Sequence, residues 1–144
     1  AQNVDWTDLD AIGVGVGPGN FTGIRICVSA ARGLALGLGV PAIGVNRFDV
    51  IEASVGSAAT PCVPATQDNV YIRPRGQQPK LMSRAEAEQI SGALLFDPAD
   101  HNPAITIAEI AAARISEDHP RPAPLYIKAA DAAPARDAPP QIIP

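Results

Sequence analysis

The sequence has few of the residues that hold nucleic acids, disulfides or metal ions. Its 144 residues include 11 lysines and arginines against 15 aspartates and glutamates, and the formal net charge is −4. Because a protein needs a basic surface to attract a polyanion, we expect no strong binding of RNA by this chain alone. The two cysteines, Cys27 and Cys62, lie in no CxxC or Cys/His pattern. They are predicted to be buried free thiols rather than a disulfide or a metal site.

Long hydrophobic runs are also missing. No stretch of about 18 apolar residues is free of glycine breaks and charge, which is the length that a membrane helix needs. No basic segment opens the chain before an apolar run, so we expect a cytoplasmic protein with neither a membrane span nor a signal peptide. The chain does have 47% hydrophobic residues, which over this length suffices for one core and hardly for two.

The first third of the chain has the pattern of two strands around a helix. The apolar run Ala11–Val16, the periodic segment Thr22–Leu38 and the run Val40–Val45 predict a right-handed crossover in a mostly parallel sheet. Weaker signals follow. They predict helices at Phe48–Ala53, Ser83–Ser91 and Thr106–Ile115, and strands at Pro61–Ala65, Asn69–Arg73 and Leu94–Phe96. Ser83, with Glu86 three residues on, is predicted to open its helix as a capping box. The proline- and alanine-rich tail at 117–144 is expected to be extended over the domain or partly disordered.

A glycine-rich turn, GVGPGNFTGIRI, spans residues 15–26 between the first strand and the helix. It is either a phosphate cradle, because backbone N–H groups point outward at a helix N-terminus, or a tight turn with a structural or interface role. No Lys-Ser/Thr pair follows its last glycine as in a Walker loop, and it is not GxSxG. The residues singled out for either role are Gly17, Pro18, Gly19, Asn20, Phe21, Thr22, Gly23 and Arg25.

Single positions of the turn carry separate predictions. Residues 17–19 allow a sharp exit from the strand, Asn20 or Thr22 can cap the helix, and Gly23 permits close packing beneath it. Arg25 lies in the first turn, where a cation opposes the helix dipole. We therefore expect Arg25 to have an acidic partner or to bind an anion.

The helix has two unlike faces. One apolar stripe is predicted to face the sheet, and it consists of Ile24, Cys27, Val28, Ala31, Leu34, Ala35 and Leu38. The opposite face has small residues instead of charges, and it consists of Ile26, Ser29, Ala30, Gly33 and Gly37. Two glycines inside a helix cost about 1 kcal/mol each relative to alanine, so close approach of another helix is the expected compensation. That helix belongs either to the same domain or to a partner subunit.

These residues resemble the hallmark segment of the TsaB (YeaZ) family. The stretch VGPGNFTGIRICVSAARGLALGLGVPAIGV is similar to the family's GPGSFTGLRIG motif and the helix and strand after it, with Asn20 in place of serine. WTDLDAIGVGVGPG resembles the approach strand of the family, and PAPLYIKAAD with the closing IIP resembles its tail. TQDNVY, with Gln67, Asp68 and Asn69, stands where the family has an arginine-rich segment.

The resemblance implies an α/β fold of actin-like ATPase lobes, which are ribonuclease-H-like. The strand and first helix that open the family are absent from this sequence, so we expect an incomplete first lobe over residues 1–45. A second lobe is expected over residues 46–116, followed by the tail. The resemblance also implies a glycoprotease-like, non-catalytic dimerisation or scaffold subunit. Such a subunit supports TsaD, which transfers a threonylcarbamoyl group to adenosine 37 of tRNA.

Catalytic and metal-binding residues are not predicted. TsaD-like chains have an H-x-x-x-H pair after the second strand, but this chain has Arg47 and Ile51 there, and neither is a metal ligand. His101 and His119 are predicted to be exposed loop residues. Asp97 and Asp100 are predicted to bond their own backbone in a turn.

The implied partners follow from the same resemblance. They are a TsaD-like catalytic subunit, a TsaE-like ATPase reached through the complex, and a second copy of the chain when it is alone. We expect no direct tRNA binding, no membrane contact and no cofactor of its own, with ATP left open as a ligand of the complex. The alternative is a nucleotide-binding ATPase or glycoprotease-like hydrolase of the actin-like group.

Overall fold

A computed structural model describes residues 5–55 and 59–127 of the chain. A short 3-10 helix at Trp6–Asp8 precedes the main elements. The strands are β1 (Ile12–Gly15), β2 (Ala42–Val45), β3 (Thr60–Pro64), β4 (Asn69–Ile72), β5 (Lys80–Ser83) and β6 (Leu94–Leu95). The helices are α1 (Phe21–Leu38), α2 (Arg47–Val55), α3 (Arg84–Ser91) and α4 (Pro103–Ala113). The mixed α/β class predicted from the sequence is confirmed.

Strands β1 and β2 form a parallel pair, as predicted from the strand–helix–strand pattern. Ile12 lies opposite Ala42, and Gly15 lies opposite Val45. Helix α4 packs closely on this pair. A Cβ at Gly13 would lie only 2.9 Å from the Ala111 Cβ. The missing side chain of Gly13 is therefore what lets α4 approach the strand.

The chain after α4 returns to the same pair of strands. The Leu125 N–H donates to the Val16 carbonyl oxygen at 2.8 Å, and Leu125 packs on the core cluster of Val14, Val16, Val28 and Ala31. The predicted tail thus reaches the β1–β2 pair at Leu125, and residues 128–144 lie outside the described residues. The three-part division at residues 45 and 116 stays a prediction.

The second sheet has the strand order β5-β4-β3-β6. Strands β3, β4 and β5 are antiparallel neighbours, and β6 pairs with β3 in parallel. Strand β5 was not predicted, because its residues KLMS do not alternate between apolar and polar positions; all four are half-buried in the structure. Two clusters of buried side chains lie on the sheet. One contains Cys62, Val70, Ile72 and Ala87, and the other contains Phe48, Ile51 and Val63.

Local capping chemistry explains where the helices begin. The predicted capping box of α3 is confirmed, since the Ser83 Oγ accepts from the Glu86 N–H and the Glu86 carboxylate accepts from the Ser83 N–H. The Ser83 hydroxyl also donates to the Glu86 carboxylate, and this bond, followed by the one from the Ser83 N–H, holds the pKa of Glu86 below its ordinary value. Helix α4 begins at Pro103, three residues before the predicted start, with Asn102 as its cap. Proline suits this first position because its missing N–H would have no partner there.

Candidate functional site

The glycine-rich turn leaves β1 through a backbone conformation that favours glycine. Gly17 has a φ of +99°, and a Cβ there would lie 2.6 Å from the Ile24 Cδ1. The Gly17 carbonyl oxygen accepts from the Arg47 N–H at 2.8 Å, which ties the turn to the start of α2. The side-chain oxygen of Asn20 accepts from the Gly23 N–H at 2.8 Å. Asn20 rather than Thr22 is therefore the cap of α1.

The role predicted for Gly23 is wrong. A Cβ at Gly23 would meet the Asn20 Oδ1 at 3.3 Å, and the next nearest atoms also belong to Asn20. This glycine makes room for the capping side chain, not for packing beneath the helix. The physical reason is local, because position N3 of a helix faces the cap residue.

Arg25 lies against one ring of an aromatic pair at the start of α1. The Phe21 and Tyr126 rings stack with centroids 4.7 Å apart, and the Arg25 guanidinium lies 5.3 Å from the Phe21 centroid. Within residues 5–55 and 59–127, no carboxylate pairs with Arg25. The cation–π contact stabilises a charge that the helix dipole disfavours. Sequence reasoning missed Tyr126, although the PLYIK motif contains it.

The outer face of α1 is uncovered in the described part of the chain. Ile26 is 64% exposed and Leu36 is 85% exposed. No atom lies within 4 Å of a Cβ at Gly33 or at Gly37. Of the five residues in the predicted small-residue face, Ser29 and Ala30 are exposed as well. No helix of the described residues covers this face, so the first of the two alternatives, an intramolecular helix, is not seen there.

The sheet-facing stripe of α1 is narrower than predicted. Val28, Ala31 and Ala35 are buried, whereas Cys27 and Leu34 are exposed. The prediction that Cys27 is buried is therefore wrong. The cause is the width of the sheet beneath the helix, since β1 and β2 are the only strands of residues 5–55 and 59–127 in that sheet and they cover only the centre of the stripe.

A charged network joins α2, the end of β4 and the end of α4. The Asp49 carboxylate accepts from Arg73 at 2.6 Å and from Arg114 at 2.9 Å. Arg73 also donates to Glu52 at 2.8 Å and lies over the Phe48 ring. Burial alone would raise the pKa of Asp49, but the hydrogen bonds from the two arginines outweigh it and hold the pKa below its ordinary value. The sequence showed no sign of this network, because its members lie 24 and 65 residues apart.

A second polar cluster lies beside Arg47. Arg47 pairs with Asp97 at 3.6 Å, Asp97 contacts the His101 Nδ1 at 2.5 Å, and the His101 Nε2 contacts the Thr106 Oγ1 at 2.8 Å. The predictions of an exposed His101 and of an Asp97 bonded to its own backbone are therefore wrong. The reason is a contact between distant segments: Asp97, in the loop between β6 and α4, pairs with Arg47 of α2 instead of bonding its own backbone. Thr106 is only 7% exposed, so its hydroxyl is not presented as a nucleophile.

The chain is similar to a known protein family over its first 88 residues. Residues 1–88, more than half of the chain, match the family model described as TsaD: tRNA N6-adenosine threonylcarbamoyltransferase. An uncharacterised protein of Mycobacterium tuberculosis is 32% identical over 149 aligned positions, covering 88% of this chain and 68% of that protein. The tRNA threonylcarbamoyladenosine biosynthesis protein TsaB of Escherichia coli is 55% identical over 42 residues.

The chain belongs to the TsaB/YeaZ family. The solved structure of YeaZ from Pseudomonas aeruginosa superposes with a TM-score of 0.59 at 22% identity, covering 85% of this chain and 77% of that one. This confirms the actin-like, ribonuclease-H-like fold. The family is tied to tRNA threonylcarbamoyladenosine biosynthesis. The matched segment spans 29% of this chain and 18% of the Escherichia coli protein.

Within this TsaB/YeaZ fold, the positions of the H-x-x-x-H pair of TsaD-like chains have other roles. Arg47 is held by Asp97, and Ile51 is fully buried with Phe48 and Val63. In the ranges 5–55 and 59–127, no three His, Cys, Asp or Glu residues lie close enough to hold a metal ion. His119 is half-buried, and its Nδ1 donates to the Glu117 carbonyl oxygen at 2.7 Å. The two roles predicted for the glycine-rich turn, a structural or interface role and anion binding, stay predictions.

The two thiols of this TsaB/YeaZ chain should react at very different rates. Cys27 is exposed on α1, while Cys62 is fully buried and burial raises its thiol pKa to about 11. Since the thiolate is the reactive form, we expect Cys62 to react at least ~100-fold more slowly than a free cysteine at pH 8. Alkylation followed by peptide mass spectrometry measures both rates. Equal labelling of Cys27 and Cys62 in the folded chain would contradict the burial of Cys62.

Proposed function

We propose that this chain is a non-catalytic dimerisation or scaffold subunit that supports a TsaD-like subunit in threonylcarbamoyl transfer to adenosine 37 of tRNA. Family membership supports a place in tRNA threonylcarbamoyladenosine biosynthesis, and the outer face of α1 supports the role of a subunit that binds another protein. Because the match spans a small part of the Escherichia coli relative, the partner and the activity are inferences about this chain. A TsaE-like ATPase is proposed to join through the TsaD-like subunit rather than through this one.

The exposed face of α1 carries this proposal. An 18-residue helix that buries only three side chains leaves a large apolar surface in water. Gly33 and Gly37 lie four residues apart on that surface with open space beside them. Small residues at this spacing let a second helix approach at the short end of the usual axis distance of about 8–10 Å. A helix of the TsaD-like subunit is proposed to cover this face, and a second copy of the chain to cover it when the chain is alone.

Helix α1 is also long and apolar enough, by length and composition, to cross a membrane. It nevertheless packs on the β1–β2 pair through Val28, Ala31 and Ala35. Arg25 and Arg32 lie one and three turns into the helix, where a bilayer would disfavour both charges. We therefore propose that α1 forms a protein interface rather than a membrane span, and that the chain is cytoplasmic like the soluble subunits it is proposed to join.

Arg47 and Ile51 support the non-catalytic part of the proposal. Arg47 is a cation and pairs with Asp97, and Ile51 has no donor atom and lies in the core. Neither can ligate the metal that a histidine pair would hold. No cofactor is proposed for this subunit, and ATP is proposed to act, if anywhere, elsewhere in the complex.

A reconstitution assay tests the proposed function. The chain is mixed with a TsaD-like subunit, a TsaE-like ATPase, threonylcarbamoyl donor and tRNA, and the modified nucleoside is measured by mass spectrometry. We expect modification only when the chain is present, and no ATP or peptide hydrolysis by the chain alone. Hydrolysis that survives repurification and disappears on mutating this chain would favour the alternative, an ATPase or hydrolase.

The isolated chain should bind tRNA only as weak, salt-sensitive background. Its net charge is −4, and Arg47, Arg73, Arg84 and Arg114 are paired with carboxylates. Without a basic stripe there is no counterion release to provide affinity. A gel-shift titration at physiological salt measures this. A submicromolar dissociation constant for the lone chain would contradict the prediction.

A further inference from the structure

A groove lies between the C-terminal half of α1 and the segment that follows α4. Its volume is about 570 Å³, which is within the range of about 300–1,000 Å³ typical of small-molecule sites. One wall is apolar and includes Leu36, Pro41 and Pro122. Arg32 of α1 and two residues of the later segment, His119 and Arg121, also line the groove.

The charge in this groove is unbalanced. Neither Arg32 nor Arg121 has a carboxylate partner in the described part of the chain, whereas four other arginines do. No aspartate or glutamate is among the lining residues. An anion is the ligand that would balance them.

His119 is oriented by its own segment. A carbonyl oxygen can only accept, so the 2.7 Å contact with the Glu117 oxygen requires a hydrogen on the His119 Nδ1. Within the described residues the Nε2 makes no contact; in the neutral ring it accepts a hydrogen bond, and it donates to a phosphate oxygen only when the ring is protonated. The groove thus combines three nitrogen-bearing side chains with an apolar wall.

We propose that this groove binds a small phosphate-bearing ligand. A phosphate has enough oxygens to accept hydrogen bonds from two guanidinium groups at once, and arginine matches its geometry in a bidentate manner. The groove is larger than a phosphate group, and its apolar wall suits an organic part attached to the phosphate. This site does not depend on the proposed subunit role, but it adjoins the proposed interface, since Gly33 and Leu36 of the outer face of α1 also line the groove.

Phenyl phosphate is the probe for this site, because it joins a phosphate to an apolar ring. Backbone amide shifts of the full chain are followed by NMR during titration with phenyl phosphate, inorganic phosphate and benzyl alcohol in turn. We expect saturable shifts at residues 32–42 and 119–122 with phenyl phosphate, weaker binding of inorganic phosphate, and no saturable binding of benzyl alcohol.

Three variants decide whether the two arginines hold the ligand. Arg32→Ala and Arg121→Ala should each weaken phenyl phosphate binding at least ~10-fold, which is about 1.4 kcal/mol. Arg75→Ala removes an exposed arginine outside the groove and should leave binding unchanged. If an alanine variant fails to fold, Arg32→Lys or Arg121→Lys takes its place and should weaken binding to a smaller degree, since lysine keeps the charge and loses the fork.

Other outcomes would overturn the proposal. If Arg75→Ala weakened phenyl phosphate binding as much as Arg32→Ala and Arg121→Ala, the binding would be explained by general charge attraction and not by the groove. Shifts outside the groove, or no saturation by phenyl phosphate, would show that the groove is not the site. Displacement of phenyl phosphate by a single-stranded RNA or by an acidic peptide, at lower concentration than by inorganic phosphate, would assign the groove to a macromolecule instead.

Discussion

Replacing Gly33 with glutamate is expected to abolish association with a TsaD-like subunit while the free chain stays folded. Gly33 lies on the outer face of α1, where a Cβ would meet no atom within 4 Å. A glutamate there has open space in the free chain. In a helix–helix contact the same side chain would separate the two backbones and bury an unpaired carboxylate, at a cost of several kcal/mol.

The size of the effect follows from that cost. Each 1.4 kcal/mol is about a tenfold change in affinity, so we expect at least ~100-fold weaker association for Gly33→Glu. Size-exclusion chromatography with the partner, together with a titration by calorimetry, measures the loss. A thermal melt of the free variant measures its fold. A variant that still forms the complex would rule out this face as the interface, and a variant that unfolds would show that the face packs within its own domain.

Two further variants serve as controls. Gly33→Ala adds one methyl group and improves helix propensity by up to about 1 kcal/mol, so the free chain should become more stable while association weakens. Opposite changes in these two quantities are hard to explain without a helix contact at this position. Gln89→Glu adds the same charge on the exposed surface of α3, and it should leave both quantities unchanged.

Removing the Asp49 carboxylate is expected to destabilise the fold more than removing the Glu52 carboxylate of the same network. Asp49→Ala leaves Arg73 and Arg114 without the acceptor that both share. Breaking a fully buried pair costs about 3–5 kcal/mol, and the partial exposure of these groups lowers our expectation to about 2–3 kcal/mol. Chemical denaturation gives the free energy of unfolding for comparison with the parent chain.

Glu52→Ala is the matched control for the network. Glu52 pairs with Arg73 alone at 2.8 Å, and its side chain is 37% exposed. Solvent screens such a pair, so we expect a loss below about 1 kcal/mol. Equal losses of unfolding free energy for Asp49→Ala and Glu52→Ala would show that an acceptor shared by two arginines stabilises the fold no more than an acceptor with one.

Acid should weaken the fold through the same carboxylate. Burial raises the pKa of Asp49, but Arg114 and Arg73 lower it by more, so the pKa in the folded chain is below its ordinary value. In the unfolded chain an aspartate titrates near ~3.9, so the unfolded state binds more protons between that pH and the folded pKa. The contribution of Asp49 to the free energy of unfolding is therefore present above about pH 4, and it is lost as the pH falls through the pKa of the folded chain. Asp49→Asn should flatten this part of the stability curve.

Sequence reasoning predicted the elements well where the signal is local. The Asn20 cap, the Ser83 capping box and the parallel β1–β2 pair depend on residues a few positions apart or on a continuous apolar run. It failed where one segment meets another. His101 looked like an exposed loop residue, because nothing near it in the chain indicates its contact with Thr106 or the Asp97 pairing with Arg47.

The glycine-rich turn shows the same limit at the candidate site. The sequence by itself determined the turn, the start of α1 and the small residues along one side of the helix, because glycine, asparagine and helical spacing act within a few residues. Only the tertiary structure decided that Tyr126 stacks on Phe21 and that the outer face of α1 stays uncovered. Both depend on which distant segments return to the β1–β2 pair, and such contacts between segments far apart in the chain leave no periodic trace in the sequence.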